Sequence, residues 1–527
     1  MRKQQLSRAI AFLIASGTYA VSAQATDWLQ FGYDLAHSGN NTLERGRPVG
    51  STSTAQWGVT VHAFGDATAL TSGATPVFLS SVNMGTATKD LLFLVTQNGT
   101  LVALAANDGS VVWSKRPAPF SGSNLTTGAA AIDPNRQYVY AYGLDGYVHK
   151  YAVGDGSEVV TGGWPELSTL KPNVEKGAAG LAIATPPGGV NYLYAATNGY
   201  GGDGGDYQGH VTTVNLTSGT QNIFNAMCSN LFVHFIDNGT PRTNDCNLGT
   251  TTPPGPGGRD GQMSGIWGRP GVIYDAQTNR IYFATGNGLF DANMSGDFEW
   301  GDSVLALNPD GTGAGLGMPK DSYTPSSYVG LYAGDTDLGS TAPAILPSTS
   351  ATHPHLAIQS GKDSCLRLIN LDDLSSAGGP GHAGGELNAA TSCDTTVNGD
   401  AVGGGVVFPQ PAVWVNPADG TTWFFVTNDV KIVAYHLDVT GAPTLSKPWS
   451  TTNGGTSPVV ANGILYYASS TIVRALDPLT GNQLWSAAIG GIKWQSPIVV
   501  NGHLYITDDS SKLWSFALDD IFKDGFQ

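Results

Sequence analysis

Charged side chains are scarce in this 527-residue sequence: Asp, Glu, Lys and Arg together make up 13%, about half the usual share of a soluble domain. That scarcity excludes coiled coils and long helical bundles, which need many charged helix formers and few glycines. Cysteine is rarer still, at four (Cys228, Cys246, Cys365 and Cys393). No Cys-x-x-Cys-His run and no Cys/His zinc spacing occurs, which excludes covalent c-type haem and a zinc ribbon. Beyond residue 25 no apolar run approaches the roughly 20 residues that cross a bilayer as a helix. Nucleophile-elbow, P-loop and zincin motifs are absent. Basic residues are the scarcer sign, 25 against 41 acidic, and three of them (Arg2, Lys3, Arg8) fall within the first 25 positions. A surface this acidic repels phosphate backbones, so nucleic acid is excluded as a partner; cations, neutral solutes and polyols suit it.

What the sequence has in plenty is glycine and proline, 70 and 29 residues, with 41% apolar content. A chain so rich in turn formers and still able to fill a large core reads as an all-β fold. Residues 1–25 read as a secretory leader: Arg2, Lys3 and Arg8 form a basic head, Ala9–Ala15 a short apolar run, and Ala23-Gln24-Ala25 a small-residue cleavage site after Ala25. The expectation is a secreted or periplasmic protein with no membrane span, whose residues 26–527 form one domain. An even cysteine count in an exported chain suggests disulfides, and Cys228–Cys246 with Cys365–Cys393 are the local pairings among the three possible.

One unit recurs eight times: an apolar run, a Gly-containing turn, then an alternating strand of the form "l-x-A-l-d-x-x-t-G-x-x-x-W". The first copy is LLFLVTQNGTLVALAANDGSVVW from Leu91, the cleanest is GILYYASSTIVRALDPLTGNQLW from Gly463, and the last is GHLYITDDSSKLWSFAL from Gly502. Each copy supplies short strands that cannot bury both faces alone, and radial stacking solves this. The spacing predicts a single eight-bladed β-propeller of four-stranded antiparallel blades, with seven blades as the alternative. Because the last copy ends near the C-terminus, its missing strand should come from the N-terminal part, and Trp28–Gly32 is the expected contributor.

The "ALDPLTGNQLW" type of copy resembles the propeller repeat of pyrroloquinoline quinone (PQQ) proteins. The stretch SGIWGRPGVIYDAQTNRIYFATGNGLF, then WGDSVLALNPDG and DTDLGSTAP, is similar to the cofactor-binding segment of quinoprotein alcohol dehydrogenases, nearest the polyvinyl-alcohol dehydrogenase branch. The resemblance implies that Trp267 forms the floor under the quinone and that Asn287 ligates Ca²⁺. It implies that Asp335 and Asp337 are the catalytic base and a further acidic group, with Asp335 near enough to the metal to be a ligand. Lys362 would hydrogen-bond the quinone oxygens, and the Gly-rich loop GGDGGDYQGH offers Asp206 as a metal ligand, with Asp203 beside it. The expected activity is oxidation of a small or polymeric alcohol by hydride transfer to PQQ held with Ca²⁺, with electrons leaving to a separate acceptor. The chain departs from that family in having no adjacent cysteine pair and no haem domain. This leaves a non-catalytic PQQ-like propeller, binding a protein, a glycan or an envelope component, as the alternative. Read apart from the resemblance, Asp297, Glu299 and Asp302 around Trp300 offer paired carboxylates of the glycosidase kind.

Overall fold

Each repeat folds as its alternation dictates, with apolar positions buried on both faces of a short antiparallel meander. In the computed structural model, which describes residues 26–48, 54–117, 124–200, 202–203, 205–236, 263–292, 298–376, 379–388 and 401–520, the blades run 77–115, 131–167, 182–225, 273–323, 344–370, 412–451, 459–488 and 498–517. They are numbered 1 to 8 below. Blade 5 shows three strands, and Leu387 donates its N–H to Leu368 O (2.8 Å) along the outer edge as a fourth rung. The eight-bladed reading holds.

The blades stack through a chain of hydrophobic clusters that returns on itself. One cluster joins blades 7, 8 and 1. Others join 1 to 2, 2 to 3, 3 to 4, 4 to 5, 5 to 6 and 6 to 7. The repeat's Gly and Trp act across these seams. Trp113 of blade 1 donates its indole N–H to Val153 O of blade 2 (3.1 Å). Its ring lies over Gly156, where a Cβ would come within 2.6 Å and φ is +68°. Trp449 and Gly481 repeat this between blades 6 and 7, with the indole bonded to Pro478 O (2.9 Å). The Gly is therefore needed twice over, for its left-handed backbone and for its bare surface.

The ring is closed by an N-terminal strand, but not the expected one. Trp57–Thr60 pairs antiparallel with Lys512–Ala517 on the outer edge of blade 8. Trp28 instead makes a two-way bridge to Phe78 on the inner strand of blade 1 and is fully buried in the 7–8–1 cluster. The difference follows from burial. An outer edge strand stays half wet, which suits the alternating exposure of Trp57–Thr60, whereas Trp28 and Phe31 need an interior seat. Residues 1–25, Cys246 and Cys393 lie outside the described residues; among those described there is no free thiol. No helix among the described residues is long and apolar enough to cross a membrane.

Candidate functional site

The segments preceding the inner strands, and the turns between second and third strands, converge at one end of the ring axis. In blade 4 that turn is Thr285-Gly286-Asn287-Gly288. A Cβ on Gly286 would meet the Asp337 carboxylate and come within 2.8 Å of Trp267 Nε1, so only glycine fits. After blade 4 the chain forms its one described α-helix, Tyr328–Ala333, and then turns sharply: Asp335 has φ +51°. A left-handed aspartate is uncommon and strained, and such strain concentrates at functional positions. Two residues on, Asp337 precedes the 3-10 turn Leu338–Ser340 that leads into blade 5.

These turns bring five of the sequence-predicted residues together. The Asn287 backbone N–H donates to Asp337 Oδ1 (2.7 Å). Its side-chain amide donates to Asp335 Oδ1 (2.7 Å) and to Asp203 Oδ2 (3.3 Å). Lys362, just past the second strand of blade 5, pairs with Asp337 Oδ2 (2.5 Å) and Asp335 Oδ1 (3.0 Å). Trp267 is half-buried. Its indole lies on Gly265 and Gly286, whose missing side chains make room for it, and the Tyr207 ring meets it edge-on at 6.1 Å.

Asp206, by contrast, is turned away. Its carboxylate lies 3.4 Å from the buried Lys171 ammonium, which also donates to Gln208 Oε1 (2.6 Å). The member of the Gly-rich loop that joins the cluster is Asp203. Of the glycosidase-like carboxylates, Asp297 lies outside the described residues and Glu299 is fully buried. Asp302 lies behind the D-x-D pair, accepting the Leu338 N–H (2.9 Å).

Oxygen atoms of Asp203, Asp335 and Asp337 all lie within 4.8 Å of one another. Three carboxylates there face one ammonium. Burial raises the pKa of Asp203, and the Asp337 charge adds to that; the same two causes push Asp302 up strongly. Burial opposes the charge on Lys362, but the Asp337 and Asp335 carboxylates prevail and raise its pKa. Asn287 is buried, and its Oδ1 has no hydrogen-bond partner among the described residues. The three carboxylates form a hard, all-oxygen donor set with excess negative charge, and it fits a divalent cation of the calcium type; the Asn287 amide faces them with its NH2 group and, turned over, would add its Oδ1. The cluster opens into a cavity of about 380 Å³ that Trp267, Phe408 and Trp494 also line, within the ordinary size of small-molecule sites. A second cavity, of about 530 Å³, adjoins it and shares Arg269, Phe408 and Trp494. Sequence reasoning missed Arg269 and Lys176, which line the first cavity. The only signal was the position of Arg269 two residues after Trp267.

The sequence profile of the outer membrane protein assembly factor BamB matches residues 50–222. No curated protein matches the chain in sequence. Among solved structures it is similar to a quinohemoprotein alcohol dehydrogenase from Pseudomonas putida HK5, with 14% identity, TM-score 0.58, and 94% of this chain and 80% of that one covered. The quinohemoprotein alcohol dehydrogenase of Comamonas testosteroni shows 15% identity and TM-score 0.57, covering 93% of this chain and 80% of that one. A europium-containing methanol dehydrogenase shows 14% identity and TM-score 0.62, covering 93% and 98%. At such identities the likeness speaks to fold.

Proposed function

Starting from a chain with the fold of a PQQ-like β-propeller, we propose that it is an exported quinoprotein-type oxidoreductase that oxidises an alcohol or polyol, using PQQ and Ca²⁺ held in the axial cavity. The observation that carries this reading is the convergence of Asp203, Asp335, Asp337 and Lys362 on one cavity that Trp267 also lines, with Asn287 hydrogen-bonded to the three carboxylates. When bound, the pair supplies a metal-polarised quinone carbonyl as hydride acceptor. Asp203, Asp337 and the Asn287 amide would hold the cation, and the Trp267 plane would hold the ring system.

Asp335 is the exposed member of the cluster and serves as the base. Both hydrogen bonds to its carboxylate fall on Oδ1, leaving Oδ2 to take the hydroxyl proton of the alcohol. Lys362 is kept protonated by two carboxylates and sets a fixed positive charge where negative charge develops. Phe408 and Trp494 give the cavity apolar walls that displace water around the reacting groups. Such an oxidation calls for a separate electron acceptor.

The BamB profile match over residues 50–222 favours a second reading, a non-catalytic propeller that binds a protein or envelope component through its loops. Dye-coupled oxidation of an alcohol panel, with and without added PQQ and Ca²⁺, separates the two. Activity appearing only with both additions is the expected result; activity absent in every condition leaves the binding reading.

A further inference from the structure

Three cations line the 380 Å³ cavity, Lys362, Lys176 and Arg269, and only the first has an acidic partner among the described residues. Lys176 sits on a short ribbon, Glu175–Lys176, paired with Asn198–Gly199. Its ammonium rests over the Tyr200 ring at 5.2 Å. Arg269 reaches across the axis from the segment before blade 4, donating through Nη2 to Gly73 O before blade 1 and to Trp494 O before blade 8 (2.8 Å each). It is 7% exposed, and its Nε has no partner among the described residues. Asn198, opposite Lys176 in the ribbon and also lining the cavity, is fully buried, and its Oδ1 has no partner among the described residues. Burial lowers the pKa of Lys176 and pulls Arg269 down to about 10, as it does for cations held away from water without a counter-charge.

The cavity is therefore bipolar. Acidic groups gather around Asn287, and unanswered basic groups stand along the blade 3 wall and the axis. We infer that Lys176 and Arg269 form a carboxylate-binding wall, so that the cavity selects a planar aromatic ligand carrying carboxylate groups, its ring against Trp267. The inference rests on the cofactor reading above, because PQQ is such a ligand, but it concerns residues that reading leaves without a role. A carboxylate placed there supplies the charge that Lys176 and Arg269 lack, as a charge-assisted hydrogen bond.

The test is isothermal titration of the full chain in Ca²⁺ with three probes: PQQ, its trimethyl ester, and benzene-1,3,5-tricarboxylate. Arg269 bridges two carbonyls across the axis and its loss can disturb the ring, so Lys176 carries the test, with melting temperature confirming the fold. PQQ should bind at least tenfold more tightly than the ester. Lys176→Met should weaken PQQ by roughly ten- to hundredfold, the usual weight of a hydrogen bond to a charged group, and leave the ester within about twofold. Lys176→Arg should restore most of the loss. If the ester binds as well as the acid, or Lys176→Met changes nothing, the inference falls while the quinone reading stands. Tricarboxylate binding that depends on Lys176, without PQQ binding, supports the inference and removes the quinone reading. Failure of both to bind removes both.

Discussion

Adding Ca²⁺ to the metal-free chain should raise its melting temperature, and the size of the rise follows from the site. Asp203, Asp335 and Asp337 crowd their oxygens within 4.8 Å, and among the described residues Lys362 alone pairs with them as a cation, a repulsion that a bound cation relieves and the unfolded chain does not feel. At a free concentration 100 times the dissociation constant, binding to the folded state alone contributes about 2.7 kcal/mol. At about 2.1 cal/mol/K per residue, some 500 residues unfolding together give ~1 kcal/mol/K. The shift should then be about 2.5 °C, read by scanning calorimetry against a chelator control. Asp203→Asn should remove most of it. The pH dependence has a definite sign. Because Asp203 has a raised pKa in the folded chain, its proton stabilises the metal-free fold, and that contribution is lost as pH climbs from the ordinary aspartate value through the raised one. Cation and proton compete for the same oxygens, so the calcium-dependent shift should grow across that same window. An equal shift in Asp203→Asn, or a shift that shrinks as pH rises, would refute the reasoning.

Further outcomes can be checked independently. Asp335→Asn should lower dye-coupled turnover by roughly 10²- to 10⁴-fold, the usual weight of a positioned base, while the melting temperature stays within a few degrees. Trp485, 1% exposed in the 7–8–1 cluster and edge-on to Phe516, should cost about 3–5 kcal/mol when replaced by alanine, seen as a lower denaturant midpoint. Gly156→Ala should destabilise through both φ and the Trp113 ring, and the loss should be smaller in a Trp113→Ala background. Burial holds His37 down to about 4 and His234 to about 3. Both must charge on unfolding, so stability present above about pH 6.5 should fall as pH drops toward those values, measurable by urea titration at several pH values.

Repetition carried the fold. Each quoted copy holds at least two adjacent strands of one blade, as Thr88–Val95 and Leu101–Ala105 show in the first, which also enters Val111–Lys115, and counting copies counts blades. The closing strand was harder to see because WGVT at Trp57 has no repeat signature, whereas Trp28 and Phe31 attract attention through hydrophobicity that serves a different interface. For the site, residues fixed by tight turns were legible: Thr285-Gly286-Asn287 and Asp335-Thr336-Asp337 leave the backbone few choices. The Gly-rich loop was not, since GGDGGD can present either aspartate, and the Lys171 ammonium that draws Asp206 aside comes from a distant segment. Lys176 and Arg269 carry no local pattern; that they have no acidic partner among the described residues shows only once the ring brings blades 1, 3, 4 and 8 around one axis.

The most direct test is a reconstitution titration, adding PQQ stepwise to metal-loaded apoprotein while following dye reduction with an alcohol. The account predicts activity rising linearly and breaking at one equivalent per chain. A flat line at every ratio, from protein that melts cooperatively, would contradict it.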